Sequence, residues 1–321
     1  MLVAGSAMGW DASHAVPDVA PMAPITNAGP APVPDFPRPV QNVFEVQLAL
    51  DRQGLSPGSL DGVNGPQTRS ALRAFQRKES LPVTGELDPG TKARLLLNEP
   101  PCTICEVTAN DLARLQPLST TWLGKSQQTA LEYETVLELM GEKGHAHPNL
   151  IRQLNSRVNW SNVVVGTKVQ LPDVECGLED AKACFITIHL ADKVLEAFDA
   201  SSNLLVHFPC SIAQRIEKRP VGVLRVEVIA PHPNYTFNPE LFRESAEARQ
   251  LTTKLLLPPG PNNPVGVAWI GLDRPGYGIH GTPSPEQVGR TESHGCFRLA
   301  NWNAARLLRM VSIGTPVYVE P

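Results

Sequence analysis

From Ala183 onward the chain is a succession of short β-rich runs: "CFITIHL", "KVLEAFD", "NLLVHFPCSI", "VLRVEVI", "GVAWIGL" and "TPVYVEP". Turn clusters such as "DASSN" separate them. A single good helix, "NWNAARLLRMV", interrupts the series, with Asn301 as its expected cap. Runs this short must share a sheet to bury their apolar faces. Repeated strands around one helix argue for a mainly-β domain, a sandwich or open barrel, over residues 183–320.

Upstream the texture is different. Residues 1–41 carry a proline every few positions between Ala15 and Pro39 and read as an extended, polyproline-like linker. Helical periodicity begins near Val43: "VFEVQLALDRQGL" spaces its apolar residues three and four apart and stops at Gly54. A Gly-rich turn, "LDGVNGPQ", leads to a second amphipathic helix through Phe75. A third helix follows Asp88, the expected N-cap, with Pro89 at the first helical position. Residues 42–98 thus read as a small three-helix module. Residues 102–174 are mixed: a strand-like "TICEV", a loose stretch, helices at "YETVLELMGEK" and "NLIRQLN", and a closing strand "GTKVQLP". The expected fold class is multidomain α+β.

Two resemblances sharpen this outline. The string DG–x–x–G–x–x–T–x–x–A–x–x–x–FQ followed by L–x–x–TG–x–x–D resembles the peptidoglycan-binding domain of bacterial wall enzymes. The helix–helix–strand order of residues 102–174 resembles a degenerate LysM-type module, another glycan-binding unit. It lacks the tight Gly-Asp-Thr turn of that family and carries a long insert, so a plain spacer is an equal reading.

With 321 residues the chain can hold two or three domains, and its net charge of −4 excludes a nucleic-acid binder held by a basic face. No run approaches eighteen apolar residues, so a membrane-spanning helix is excluded on length. No Lys or Arg precedes Arg38, so "MLVAGSAMGW" lacks the positive region of a signal peptide, and a trimmed or truncated start is expected. Six cysteines, at 102, 105, 176, 184, 210 and 296, are too sparse for a disulfide scaffold. Cys102 and Cys105 on one strand would face opposite ways and cannot bridge. Cys176 and Cys184, flanking a loop, are the better disulfide pair.

The chemistry concentrates in "YGIHGTPSPEQVGRTESHGCFRL", residues Tyr277 to Leu299, where two His-Gly pairs stand fourteen residues apart and a cysteine follows the second. A free thiol titrates near 8.5, and a neighbouring imidazole activates it by taking the proton or stabilising the anion. If the loop folds back, His280 and Cys296 come side by side. A backbone carbonyl near Gly281 could then accept from the second ring nitrogen and fix the tautomer. Ser293, His294 and Gly295 form a tight turn whose N–H groups can point together at a developing oxyanion. A zinc site from His280, His294 and Cys296 has no fourth ligand in the segment, so no metal and no cofactor is expected.

"IHGT…GRTESHGCFRL" resembles the signature of the bacterial L,D-transpeptidases, the YkuD-type catalytic domain, with Phe297 where that family usually carries Ile or Val. The resemblance implies a cysteine acyl-enzyme on the peptidoglycan tetrapeptide stem. Cys296 would be the nucleophile and His280 its base. The Gly295 and Cys296 amides would form the oxyanion site, with His294 and Ser293 shaping the turn. Arg298, Gly281 and Tyr277 are expected on the substrate side. Peptidoglycan is the implied partner, and a periplasmic or wall-associated location follows. The acceptor stays open between a second stem, water and a protein lysine, and a non-catalytic wall binder is the reading from another class.

Overall fold

The computed structural model describes residues 35–175, 181–242, 245–291 and 295–321. Most of the Pro-rich linker, Cys176, Ser293 and His294 lie outside the described residues. The helical module runs β1 (Arg38–Pro39), α1 (Val43–Asp51), α2 (Pro66–Lys78), α3 (Pro89–Arg94) and β2 (Leu96–Leu97). Asp88 caps α3 by accepting from the Thr91 amide at 2.9 Å. The paired two-residue strands, Arg38 opposite Leu97, are too short to read in sequence. Two buried glutamines explain the turn motifs. Gln47 Oε1 accepts from Asp61 and Gly62 amides at 3.1 and 2.8 Å. Gln76, of the Phe-Gln pair, accepts from Thr84 and Gly85 and donates to Glu86 O and Thr91 Oγ1. Each buried amide is satisfied by the turn it holds.

The middle segment contains β3 (Cys102–Glu106), α4 (Ala109–Ala113), α5 (Trp122–Ser126), α6 (Val136–Lys143), α7 (Pro148–Leu154) and β4 (Lys168–Pro172). Its first and last strands pair antiparallel, Cys102 opposite Pro172. Helices α4 and α5 form inside the stretch that reads as loose; Thr108 and Asp111 make a capping box on α4. Val107, Leu139, Met140, Ile151 and Val169 join the same hydrophobic cluster as Leu48, Leu72 and Phe75 of the helical module. The two segments therefore share one core. Cys102 and Cys105 are free thiols, and so is Cys184.

The last domain is built on β5 (Phe185–His189), β6 (Val194–Phe198), β7 (Leu204–Pro209), β8 (Gly222–Pro231), β9 (Tyr235–Phe237), β10 (Leu255–Leu257), β11 (Ala268–Leu272), β12 (Gly278–His280), β13 (Phe297–Arg298), α8 (Asn301–Met310) and β14 (Pro316–Glu320). Eight of these strands form one sheet in the order β13-β12-β11-β8-β14-β5-β6-β7. All its pairs are antiparallel except β12–β13 and β14–β5. Just beyond β7, Ser211 exchanges two backbone hydrogen bonds with Arg298 of β13, at 2.9 and 3.0 Å, so the sheet's two edges meet. Of the two expected forms, the barrel-like one is present. Helix α8 packs on β11, burying Ala304 and Leu307.

Asn301 does not cap α8: Ala300 holds that position. The Asn301 side chain instead donates to Pro261 O at 3.1 Å and accepts from the Val267 amide at 3.3 Å. A polar side chain buried this deeply goes where unpaired backbone groups need it. Between β8 and β11, the hairpin β9–β10 stands apart from the main sheet and has its own small core. That core includes Leu131, from the middle segment, with Phe237, Ala248 and Leu257. Trp122 stacks on Phe237 at 4.3 Å between ring centroids. Leu131 and Pro259 to Asn262 are zipped by backbone hydrogen bonds, Leu131 N to Pro259 O and Asn262 N to Leu131 O, each 2.9 Å.

Candidate active site

Parallel pairing of β12 with β13 places Ile279 beside Phe297 and His280 beside Arg298. Antiparallel pairing of β11 with β12 places Trp269 opposite His280 and Gly271 opposite Gly278. Ile270, Ile279 and Phe297 are buried in the core. Alternation along each strand then puts Trp269, His280 and Arg298 on the opposite face, and Cys296, two residues before Arg298, joins them. Strand register thus sets His280 beside Arg298, two residues after Cys296.

His280 is buried, and its Nδ1 lies 2.7 Å from Gly281 O. A carbonyl can only accept, so Nδ1 carries the proton and Nε2 is the basic nitrogen. Burial pushes the imidazole down to about 4, with the Arg298 charge acting the same way and the Gly281 carbonyl opposing. At neutral pH the ring is uncharged. Cys296 is half-buried with its Sγ 3.4 Å from Gly276 O. Burial pushes the thiol up, against the opposing Gly278 amide and Arg298 charge. The resting pair is therefore neutral thiol and neutral imidazole. An imidazole that is unprotonated and fixed in orientation can take a thiol proton as a nucleophile attacks.

Tyr277 flanks this pair. A Cβ placed on Gly295 would lie 3.9 Å from its ring, and its hydroxyl donates to Lys218 O at 3.0 Å. Gly281 faces inward: a Cβ there would come within 2.2 Å of Asn301 Oδ1. Its missing side chain lets α8 pack against the end of β12, and its carbonyl receives His280. Arg298 lies close enough to act electrostatically on both Cys296 and the buried Cys210.

Two neighbours were not legible in sequence. The Trp269 indole stacks on His280 at 5.7 Å and 24°. It lies across the Gly271–Gly278 pair: a Cβ on Gly278 would sit 2.6 Å from the indole and one on Gly271 3.0 Å. Opposed glycines leave a flat floor that only an aromatic edge fills. Tyr235, on β9, is the second: burial pushes its phenol up and the nearby Cys296 adds to the effect. Neither residue carries a sequence signal: Trp269 meets His280 only through the β11–β12 pairing, and Tyr235 comes from the separate β9–β10 hairpin.

Residues 185–319 match the YkuD family, described as "L,D-transpeptidase catalytic domain", and residues 39–95 match a "Putative peptidoglycan binding domain". The "Putative L,D-transpeptidase YkuD" of Bacillus licheniformis is 40% identical over 63 residues, 20% of this chain and 38% of that protein. The "Putative L,D-transpeptidase YqjB" of Bacillus subtilis is 42% identical over 64 residues, 18% of this chain and 36% of that protein. The chain thus spans little more than a third of the length of these curated relatives. Among solved structures, an L,D-transpeptidase from Mycobacterium smegmatis shares 20% identity with a TM-score of 0.34, covering 50% of this chain and 65% of that one. Another, from Xylanimonas cellulosilytica, shares 16% with a TM-score of 0.37, covering 89% of this chain and 100% of that one. The match to the L,D-transpeptidase catalytic domain of the YkuD family thus lies at residues 185–319, and the match to a putative peptidoglycan-binding domain precedes it on the same chain at residues 39–95.

Proposed function

We propose that this chain is a peptidoglycan L,D-transpeptidase that works through a thioester on Cys296. Sγ attacks the carbonyl carbon between the L-centre of the third stem residue and the terminal D-alanine while its proton passes to His280 Nε2. The tetrahedral oxyanion forms against the Gly295 and Cys296 amides, with Ser293 and His294 shaping the turn. Collapse breaks the C–N bond, and His280 returns the proton to the departing D-alanine amine. An acceptor amine from a second stem then attacks the thioester, releasing the thiol and leaving a cross-link. Arg298 and Tyr277 line the substrate side, while Gly281 serves through its carbonyl, which holds His280. The observation that carries this reading is the neutral His280, its Nδ1 tied to Gly281 O, on the face that bears Cys296. The peptidoglycan-binding domain supports a wall-associated place of action, where a tether raises the local stem concentration. The strand-bracketed helices of residues 102–174 fit a LysM-like role beside it.

The test is incubation of the full chain with disaccharide-tetrapeptide and mass analysis of the products. Dimer with released D-alanine is the expected result. Tripeptide alone identifies water as acceptor, and unchanged substrate identifies a non-catalytic wall binder.

A further inference from the structure

In sequence His280 and Cys296 are joined by a loop whose described part, residues 282–291, is held by hydrogen bonds. Its middle, Val288–Gly289–Arg290, is gripped from two sides. On one side Ser211 Oγ accepts from the Gly289 amide at 2.9 Å, while the Ser211 backbone is paired with Arg298, two residues after Cys296. On the other side stands a residue of the helical domain more than two hundred positions earlier. Gln67 Nε2, near the start of α2, donates to Val288 O at 2.6 Å.

The fit around Gln67 is steric as well as polar. Gly289 has φ +73°, and a Cβ there would lie 2.7 Å from Gln67 Nε2. Gly58, with φ +82°, would place a Cβ 2.2 Å from Gln67 Oε1. The amide is therefore held between two glycines, one from its own domain and one from the catalytic loop. Asp61, which opens the turn before α2, lies 3.8 Å from Arg290, the next loop residue. That exposed pair is worth little in itself, but it marks the same contact.

We infer that Gln67 is a positioning residue of the active site, supplied by the peptidoglycan-binding domain. Its amide holds the Val288 carbonyl, and with Ser211 it sets the path along which the loop delivers Cys296 to His280. The wall-binding domain is then a part of the catalytic apparatus and not only its tether. This rests on the transpeptidase reading for turnover, but the state of the thiol can be measured without it.

The experiment uses the full chain with Gln67→Ala and Gln67→Glu, the second keeping the length between the glycines while removing the N–H donor. Iodoacetamide labelling rates are followed peptide by peptide. Cys296 is the reporter, exposed Cys184 the reagent control and buried Cys210 the control for unfolding. The expected result is a Cys296-to-Cys184 rate ratio shifted by about threefold or more in both variants, with Cys210 unlabelled. Loss of one such hydrogen bond corresponds to roughly fivefold to tenfold in kcat for D-alanine release at little-changed KM. A ratio equal to wild type in Gln67→Glu overturns the inference. Should Gln67→Ala unfold and expose Cys210, Gln67→Glu decides alone. A wild-type chain that releases no D-alanine defeats the transpeptidase reading, and the labelling ratio still decides the role of Gln67.

Discussion

At the scale of single residues, the site is a pair held uncharged. A base must be unprotonated to act, and His280 stays so down to about 4 because it is buried. An exposed histidine with an ordinary value near 6.5 would lose about twenty-fivefold of its basic form between neutrality and pH 5. The expected kcat/KM for D-alanine release is therefore flat, so far as His280 is concerned, from pH 7 to 5, with its acid limb near 4. A limb near 6.5 in the pH–rate profile would mean that the imidazole is not buried in the working enzyme. Cys296→Ala should abolish release while circular dichroism stays that of wild type. Both residues stand out in the sequence because His-Gly and His-Gly-Cys fall within one stretch of twenty-three. Trp269 does not, since only antiparallel register brings it to His280.

At the scale of elements, the floor under the indole is the sensitive part. Gly278→Ala must displace the Trp269 ring, an overpacking cost of about 1–3 kcal/mol. The expected outcome is a lowered melting temperature together with a fall in kcat, because the ring that moves also stacks on His280. Gly65→Ala, where a Cβ meets nothing within 4 Å, should leave kcat unchanged and cost only the poorer cap it makes for α2. Six strands of the main sheet were readable because each is a run of β-branched and aromatic residues between turn clusters, as "CFITIHL" shows. The hairpin β9–β10 was not, because "YTF" and "LLL" are three-residue strands whose burial depends on Trp122 and Leu131 of another segment. Asn301 misled in the same way. Its type fits a helix cap, but the unpaired backbone of residues 261 and 267 claims its side chain.

At the scale of the whole molecule, Phe36–Pro321 form one compact unit, and charged groups join its parts. Glu196 on β6 accepts from His207 Nδ1 at 2.7 Å, pairs with Arg77 of α2 and lies 3.6 Å from His189. His207 Nε2 in turn meets Ser70 Oγ of α2 at 3.2 Å. Burial alone would raise the Glu196 carboxyl, but the two histidines and Arg77 outweigh it and hold it well below the usual range. A depressed carboxylate stabilises the fold above its unfolded value, about 4.3, and that contribution is lost as the pH falls below it. Burial pushes His207 down, so it works in the same direction from about 6.5 downward. Glu196→Gln should therefore lower the melting temperature at pH 7 and at pH 5, with the gap from wild type closing toward pH 3. A gap independent of pH would mean that the carboxylate charge plays no part. Leu131→Ala, far from the thiol in sequence, should cost about 2–5 kcal/mol in thermal unfolding, because it empties a core that the catalytic domain cannot fill alone. That shared core also bears on how such a chain can change by recombination. A crossover replacing everything before residue 183 with modules from another wall enzyme would leave Phe237 and Leu257 facing a void and the Val288 carbonyl without its donor. Hybrids of this catalytic domain would then need matched residues at both seams, so its modules are inherited as a set.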